Sequence, residues 1–227
     1  MKKRRRPPLP IIYEDERIIV IDKPAGLLTT ATRLPGRAAR ASQVTAENLL
    51  GDYLRKGQVK STRRAWLVHR LDRETSGVMV FAKTAEIADA FRSDWHELSR
   101  KTYLAQVAGT PEPATGEFAS FLREDDDGYR VRVVGEHVPG ARFAHTRYRT
   151  LAVKGGVATV EVMLETGRKN QIRVHFAAAG YPIVGDVKYG GPPARRLMLH
   201  AAQLQLRNDR NSPWQTFTAP VPSGFGV

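Results

Sequence analysis

The chain has 227 residues and a formal net charge of +13, with 36 Lys and Arg against 23 Asp and Glu. Hydrophobic residues make up 41% of it, which is enough for a buried core and excludes a disordered chain. Because cysteine is absent, disulfide frameworks, thiolate metal sites and cysteine nucleophiles are excluded. A sequence pI near 10.3 favours a polyanionic partner, with nucleic acid first and an anionic membrane surface second.

The chain opens with five consecutive cations, Lys2 to Arg6, followed by a proline-rich segment. The prolines interrupt the apolar stretch, so no signal-peptide core fits there. The longest uncharged stretch, residues 211–227, is too rich in Pro, Ser and Thr to span a membrane as a helix. We therefore predict a basic tail over residues 1–10, one folded domain over 11–227, no membrane contact and a cytoplasmic location.

The predicted elements begin with a buried strand over 17–23, closed by a turn at 24–26. A short helix follows, with Thr45 as its N-cap and Gly57 after its end, and then strands over 66–68 and 77–82. Apolar residues from Ile87 to Leu98 recur with a helical period and predict an amphipathic helix. Further strands are predicted over 102–108, 129–134, 146–153, 157–164 and 197–206, with a short helix over 172–179. Hairpin-like spacing prevails, which indicates an α+β fold on a mixed, mostly antiparallel sheet with a few flanking helices.

The positive charge is concentrated between residues 33 and 73, where ten Lys and Arg stand against three Asp and Glu. A solvated face is the usual explanation of a charge run and is the one we favour for the N-terminal tail. Around a carboxylate, however, this block predicts a surface that contacts phosphates. The acidic run 124–127, followed by Gly128, predicts a solvated hairpin tip, because it lacks the alternating ligands of a calcium loop.

The densest polar stretch between two predicted strands is HRLDRETSG, residues 69–77. Asp72 lies between Arg70 and Arg73, and neighbouring guanidinium groups favour the charged form of a carboxylate. Such a carboxylate acts as a nucleophile, a base or an electrostatic stabiliser, while a structural Asp–Arg ion pair is the commoner explanation on composition alone. Both interpretations stay open at this point.

A second polar cluster, ETGRKNQIRVH, covers residues 165–175 and leads from a strand into a helix. Arg168, Lys169 and Arg173 lie near the start of that helix, whose free N–H groups also favour anions. We interpret the cluster as a phosphate or carboxylate site. The spacing of His69, His175 and His200 matches no zinc pattern, so metal-free chemistry is expected.

Five blocks in order give the chain its resemblance to a known family: VIDKPAGLLT, HRLDRETSGVMVFAKT, KTYLAQVAG, ETGRKNQIRVHFAAAGYPIVGDVKYG and RLMLHAAQLQL. Together they resemble the RluA family of RNA pseudouridine synthases over roughly residues 11–222. The resemblance implies the pseudouridine synthase fold and isomerisation of uridines in ribosomal or transfer RNA. It implies no cofactor and no metal, and we expect a monomer.

The resemblance also implies roles for individual residues. Asp72 is the nucleophile, Tyr103 packs on the target base, and Arg173 pairs with the aspartate. Arg70 takes the place of the flipped base in the RNA stack, and Leu199 helps to line the pocket. The remaining expected contacts to RNA are His69, Arg73, Arg168, Lys169, Asn170 and Gln171.

Two departures from the family accompany the resemblance. Many members have His where this chain has Asn170, which retains hydrogen-bonding capacity. Several relatives carry an additional N-terminal RNA-binding domain, and we expect none here. The alternative of a different class is a non-catalytic RNA-binding or ribosome-assembly factor on the same scaffold. An Asp-nucleophile hydrolase of a small phosphorylated substrate ranks last, since no phosphate-loop signature is present.

Overall fold

A computed structural model describes residues 7–32, 43–58 and 60–225. The first six residues of the predicted tail, and Arg33, Arg37 and Arg40 of the basic block, lie outside the described residues. The chain divides into unit 1, Met1–Ser99 with Leu204–Pro220, and unit 2, Arg100–Gln203 with Val221–Val227.

The described residues of unit 1 form short antiparallel strands and three helices. Its elements are β1 (Ile11–Glu14), β2 (Ile18–Lys23), α1 (Ala46–Arg55), β3 (Trp66–Leu67), β4 (Ser76–Ala82), α2 (Ala85–Ser93), α3 (Trp95–Leu98) and β11 (Gln215–Thr218). β4 pairs antiparallel with both β2 and β3, and β1 pairs antiparallel with β2. All seven residues of β4 are buried. Val20, Val80, Phe91 and Phe217 belong to one apolar cluster of this unit.

In unit 2, the part of the chain that the structure describes forms an antiparallel sheet with one helix and one short 3-10 helix. Its elements are β5 (Ser99–Ala108), β6 (Thr115–Glu124), β7 (Val131–Val134), β8 (Arg142–Lys154), β9 (Val157–Leu164), α4 (Gln171–Ala178), the 3-10 helix Val187–Tyr189 and the first part of β10 (Leu199–Leu206). The strand order is β5-β9-β8-β6-β7. Leu122, Val131, Ala144 and Val174 pack together as an apolar cluster.

The predicted fold class is confirmed. Antiparallel pairs dominate both units, and isolated parallel bridges such as that of Leu28 with Thr45 make the pairing mixed. Thr45 caps α1 as expected, since its side chain accepts a hydrogen bond from the Asn48 N–H. Lys56 then adopts the left-handed conformation that ends the helix, one residue before Gly57.

The prediction of one continuous helix from Ile87 to Leu98 is wrong, because the structure has two helices there. α2 ends at Ser93 and α3 begins at Trp95, because Asp94 has a φ of −115° and a ψ of 25°, outside the helical region. Among the described residues, three strands were not predicted: β1, β6 and β11. No helix of the described residues is both long enough and apolar enough to cross a lipid bilayer.

Candidate active site

In unit 1, the loop of residues 68–75 between β3 and β4 holds four of the predicted site residues. Asp72 is half-buried, while Arg70 and Arg73 on either side are exposed. Leu71 is buried and anchors the middle of the loop. The loop therefore presents one partly shielded carboxylate between two cations that reach solvent.

Lys23, the last residue of β2, binds the loop that carries Asp72. The sequence alone did not single out this residue. Its side chain is fully buried, and its ammonium donates to the carbonyls of Pro24 at 2.9 Å, Leu27 at 2.8 Å and Arg73 at 3.2 Å. A buried ammonium is tolerated only when such acceptors satisfy it. The sequence signal was a lysine that ends an apolar strand directly before a proline.

Further hydrogen bonds hold the backbone on both sides of Asp72. The Thr29 hydroxyl donates to the Leu71 carbonyl at 2.8 Å and accepts from the Leu71 N–H at 3.4 Å. The Gly26 N–H donates to the Arg73 carbonyl at 2.8 Å, and Arg73 Nε donates to the Gly26 carbonyl at 3.1 Å. These bonds place the carboxylate at a defined position rather than on a mobile loop.

His69 has a structural role at the start of the loop. Its Nε2 accepts a hydrogen bond from the Val80 N–H at 3.2 Å, and its ring stacks on Trp95 at a centroid distance of 4.8 Å. The ring thereby ties the loop to β4 and α3. A contact between His69 and RNA stays a prediction.

Tyr103 and Leu199 are both buried residues of unit 2, on β5 and at the start of β10. Lys101 lies two residues before Tyr103, so both side chains belong to the same face of β5. The Lys101 ammonium lies 3.5 Å from the position that a Cβ on Gly167 would occupy. Burial lowers the pKa of Lys101 to about 8. The turn before α4 thus lies close to the strand face that carries Tyr103.

Arg173, on α4, forms a buried ion pair with Asp186. Its Nε and one terminal nitrogen lie 2.7 Å from the two oxygens of that carboxylate. The guanidinium also lies over the Tyr189 ring, 5.2 Å from the centroid. The sequence did not point to Asp186, which holds the guanidinium in one orientation. The pairing of Arg173 with Asp72 that the family resemblance implied stays a prediction.

Asn170 occupies a backbone position that suits its residue type. Its φ is 52°, in the left-handed region that Asn adopts more readily than most residues. Its side-chain oxygen accepts hydrogen bonds from the Lys188 ammonium at 2.8 Å and the Tyr189 hydroxyl at 3.1 Å. This residue therefore joins the start of α4 to the 3-10 helix.

Gln171 is buried, and its amide is fully engaged within unit 2. The amide oxygen accepts from the Thr166 hydroxyl at 2.8 Å and from the Arg168 N–H at 2.9 Å. The amide nitrogen donates to the His145 carbonyl at 2.9 Å and the Thr146 hydroxyl at 2.8 Å. Gln171 thus holds the turn before α4, and its contact with RNA stays a prediction.

The two cations of that turn are bound to β-strand and hairpin groups. Arg168 Nε donates to the Phe143 carbonyl at 2.9 Å. Lys169 pairs with the Glu124 carboxylate and donates to the Gly128 carbonyl at 2.6 Å. The structure thus groups the predicted residues in two sets: His69, Arg70, Asp72 and Arg73 in unit 1, and Tyr103, Arg168, Lys169, Asn170, Gln171, Arg173 and Leu199 in unit 2.

Comparison with known proteins identifies the family to which this chain belongs. Residues 17–178 match the family model described as RNA pseudouridylate synthase. The dual-specificity RNA pseudouridine synthase RluA of Escherichia coli is 34% identical over 224 residues, which cover 96% of this chain and 95% of that relative. This chain belongs to the RNA pseudouridylate synthase family. The predicted membership in its RluA branch is confirmed.

Other members of the synthase family agree with this assignment. A relative from Chloroflexus aurantiacus, described as an uncharacterized RNA pseudouridine synthase, is 45% identical over 175 residues, covering 72% of this chain. That match spans 52% of the relative, about half its length. The solved structure of human RNA pseudouridylate synthase domain containing 4 superimposes with a TM-score of 0.74 at 26% identity, covering 95% of this chain and 90% of the human one.

Proposed function

We propose that this synthase family member converts uridines in ribosomal or transfer RNA to pseudouridine, with Asp72 as the nucleophile. The observation that carries the proposal is the half-buried Asp72 on a loop fastened by Lys23 and Thr29. Catalysis by a carboxylate requires that it be held at a defined position against its substrate. Membership in the family supplies the substrate class.

The proposed reaction is an isomerisation in which all atoms balance. The Asp72 carboxylate attacks C1′ of ribose as the bond from N1 of uracil to C1′ breaks, and C5 of the turned uracil then displaces the carboxylate to form the bond from C5 to C1′. The hydrogen on C5 leaves as a proton to water, and N1 takes up a proton. No electrons are exchanged and no water is added, so one carboxylate suffices where a glycosidase needs two. We therefore propose a reaction without cofactor or metal.

The other site residues support this chemistry in assigned roles. Tyr103 packs on the target base and Leu199 lines the pocket. Arg173, oriented by Asp186, stabilises negative charge that develops in the site. Arg70 occupies the space that the flipped base leaves, which offsets the few kcal/mol, in order of magnitude, that unstacking costs.

The remaining residues are proposed to contact RNA directly or through the segments they hold. The direct contacts are His69, Arg73, Arg168 and Lys169, while Asn170 and Gln171 act through the turn before α4. We assign the catalytic domain to residues 11–227 and a basic tail to 1–10. The proposed enzyme is monomeric and cytoplasmic.

Release of tritium from RNA labelled at uridine C5 tests the proposal, because C5 loses its hydrogen only if a carbon–carbon bond forms there. The Asp72→Asn variant is expected to release tritium at least about a thousandfold more slowly than the unmodified chain. Asp52→Asn, the same change at an exposed aspartate of α1, is expected to release it at the unmodified rate.

Equal and substantial release by the unmodified chain and Asp72→Asn would reject Asp72 as the nucleophile, while equally little release by both would reject the enzymatic function. If RNA binding then survived Asp72→Asn and fell with salt, the protein would be an RNA-binding factor on the synthase scaffold.

A further inference from the structure

The turn between β6 and β7 displays an aromatic ring at the surface of unit 2. Tyr129 is 60% exposed. The Lys188 ammonium lies over its ring, 4.8 Å from the centroid. A cation on one face of an aromatic ring is a stable arrangement that leaves the rest of the ring available for stacking.

The ring is held in place by the backbone around it. The Asp127 carboxylate accepts a hydrogen bond from the Tyr129 N–H at 2.8 Å. Two residues later, the Val131 N–H donates to the Tyr189 hydroxyl at 3.1 Å, and that hydroxyl is bound to Asn170. Because the backbone is already ordered, a ligand that stacks on Tyr129 loses little free energy to ordering it.

Three of the four acidic residues of the run 124–127 are paired with cations of the same unit, and the fourth, Asp127, accepts the hydrogen bond from the Tyr129 N–H. The pairs are Glu124 with Lys169, Asp125 with Arg132, and Asp126 with Arg123. The hydrogen bond from Arg132 holds the pKa of Asp125 below its usual value, so this carboxylate stays charged and paired. Lys188 adds positive charge over the ring, and Arg130, the next residue after Tyr129, is exposed. The turn therefore attracts an anion despite its acidic sequence.

The Tyr129 ring is connected through side-chain contacts to Arg173, a proposed catalytic residue. Lys188 donates to the Asn170 side chain at 2.8 Å, directly before α4, and Arg173 on α4 lies over the Tyr189 ring. A nucleotide held on Tyr129 is thus linked through Lys188 and Tyr189 to Arg173.

We propose that Tyr129 and Lys188 form a stacking site for an unpaired RNA base, with Lys188 and Arg130 facing the adjoining phosphates. The identity of the ligand as RNA rests on the proposed function. Stacking on an aromatic ring beside cations is how proteins hold single-stranded nucleic acid without reading its sequence. A protein partner would use the ring equally well, but the surrounding excess of Lys and Arg favours a polyanion.

Binding of two fluorescent oligonucleotides to the full chain tests this site. One is an oligouridylate of about 12 nucleotides, and the other is an abasic strand with the same phosphates. The unmodified chain is expected to bind the oligouridylate more tightly, as measured by fluorescence anisotropy. Tyr129→Ala is expected to weaken oligouridylate binding at least about fivefold and to leave abasic binding unchanged. Tyr129→Phe, which keeps the aromatic ring, is expected to bind the oligouridylate as tightly as the unmodified chain does.

Phe143→Ala is the matched control, since Phe143 is a 45% exposed ring of the same unit that packs on Phe121. This variant is expected to bind both strands like the unmodified chain. Oligouridylate binding that is equal in Tyr129→Ala and the unmodified chain would overturn the proposal and leave the ring to a protein partner. An unmodified chain that does not prefer bases over abasic sites would overturn it as well.

Tritium release by the unmodified chain, measured in parallel, separates this inference from the proposed function. Release without any dependence of binding on Tyr129 rejects the stacking site alone. Binding that depends on Tyr129 without tritium release rejects the proposed reaction and keeps the stacking site.

Discussion

The His175 ring lies buried in unit 2, where its nitrogens are 2.9 Å from the Thr146 hydroxyl and 3.0 Å from the Ser120 hydroxyl. Burial, with a smaller contribution from His145, lowers the pKa of His175 to about 4. The ring is therefore neutral at pH 7. Its polar contacts are those of a structural core histidine.

This buried histidine predicts a loss of stability in acid. Between pH 6.5 and pH 4 the unfolded chain binds a proton at this residue and the folded chain does not, so stability falls as the pH falls through that window. Urea unfolding at pH 7 and pH 4.5 is expected to show up to about 3 kcal/mol more loss in the unmodified chain than in His175→Gln. His137→Gln, at an exposed histidine, is expected to behave like the unmodified chain. Equal losses in the unmodified chain and His175→Gln would contradict the prediction.

At the scale of the element, the loop between β3 and β4 depends on groups far away in the sequence. Lys23 is 50 residues from the carbonyl of Arg73 that it binds, and Thr29 is 42 residues from Leu71. The Lys23 ammonium joins the turn of residues 24–27 to the loop with Asp72, together with the two hydrogen bonds between Gly26 and Arg73. The position of Asp72 is set by this connection as much as by its own neighbours.

Replacing Lys23 by Met is expected to disturb both stability and catalysis. Three carbonyls lose their donor, which costs about 2–4 kcal/mol of unfolding free energy in urea. A carboxylate displaced by a fraction of an ångström is expected to lower the kcat of tritium release at least about tenfold, with RNA affinity unchanged. Lys154→Met, at an exposed lysine of β8, is the control and is expected to change neither quantity. A kcat for Lys23→Met equal to that of the unmodified chain would show that the loop needs no such support.

At the scale of the whole molecule, positive charge is the property that composition reports most directly. Some of it serves the fold, since Arg173 binds Asp186 and Lys169 binds Glu124. Exposed cations such as Arg70 and Arg73 remain accessible to a polyanion. Each of these ion pairs contributes zero to the net charge, so the formal charge of +13 reflects cations in excess of such pairs.

The five cations of Lys2 to Arg6 are expected to add affinity for RNA without taking part in catalysis. With all five replaced by Gln, a plot of log K against log salt for single-stranded RNA is expected to flatten by at most about 3.5. The kcat of tritium release at saturating RNA is expected to stay unchanged, because the proposed reacting groups lie elsewhere. An unchanged salt slope would show that the tail does not contact RNA, and a lost kcat would give it a catalytic role.

Elements with strong local patterns were predictable from the sequence. The apolar run of β4 and the cap of α1 at Thr45 depend on neighbours within a few residues. β6 was missed because it alternates exposed and half-buried residues and carries few apolar ones. The continuous helix through Asp94 was predicted wrongly, since periodicity reports which face is apolar and not where the backbone leaves the helix.

The sequence by itself determined the fold class, the family and the candidate residues around Asp72 and Arg173, because these depend on residue types and their order. Only the tertiary structure decided which residues bind these groups. Lys23 binds the loop of Asp72, and Asp186 binds Arg173. At the surface near Tyr129, Asn170 binds Lys188. Such partners are tens of residues apart or belong to different elements. Their pairing follows from strand register and burial, which require buried polar groups to find one another and which no local pattern encodes.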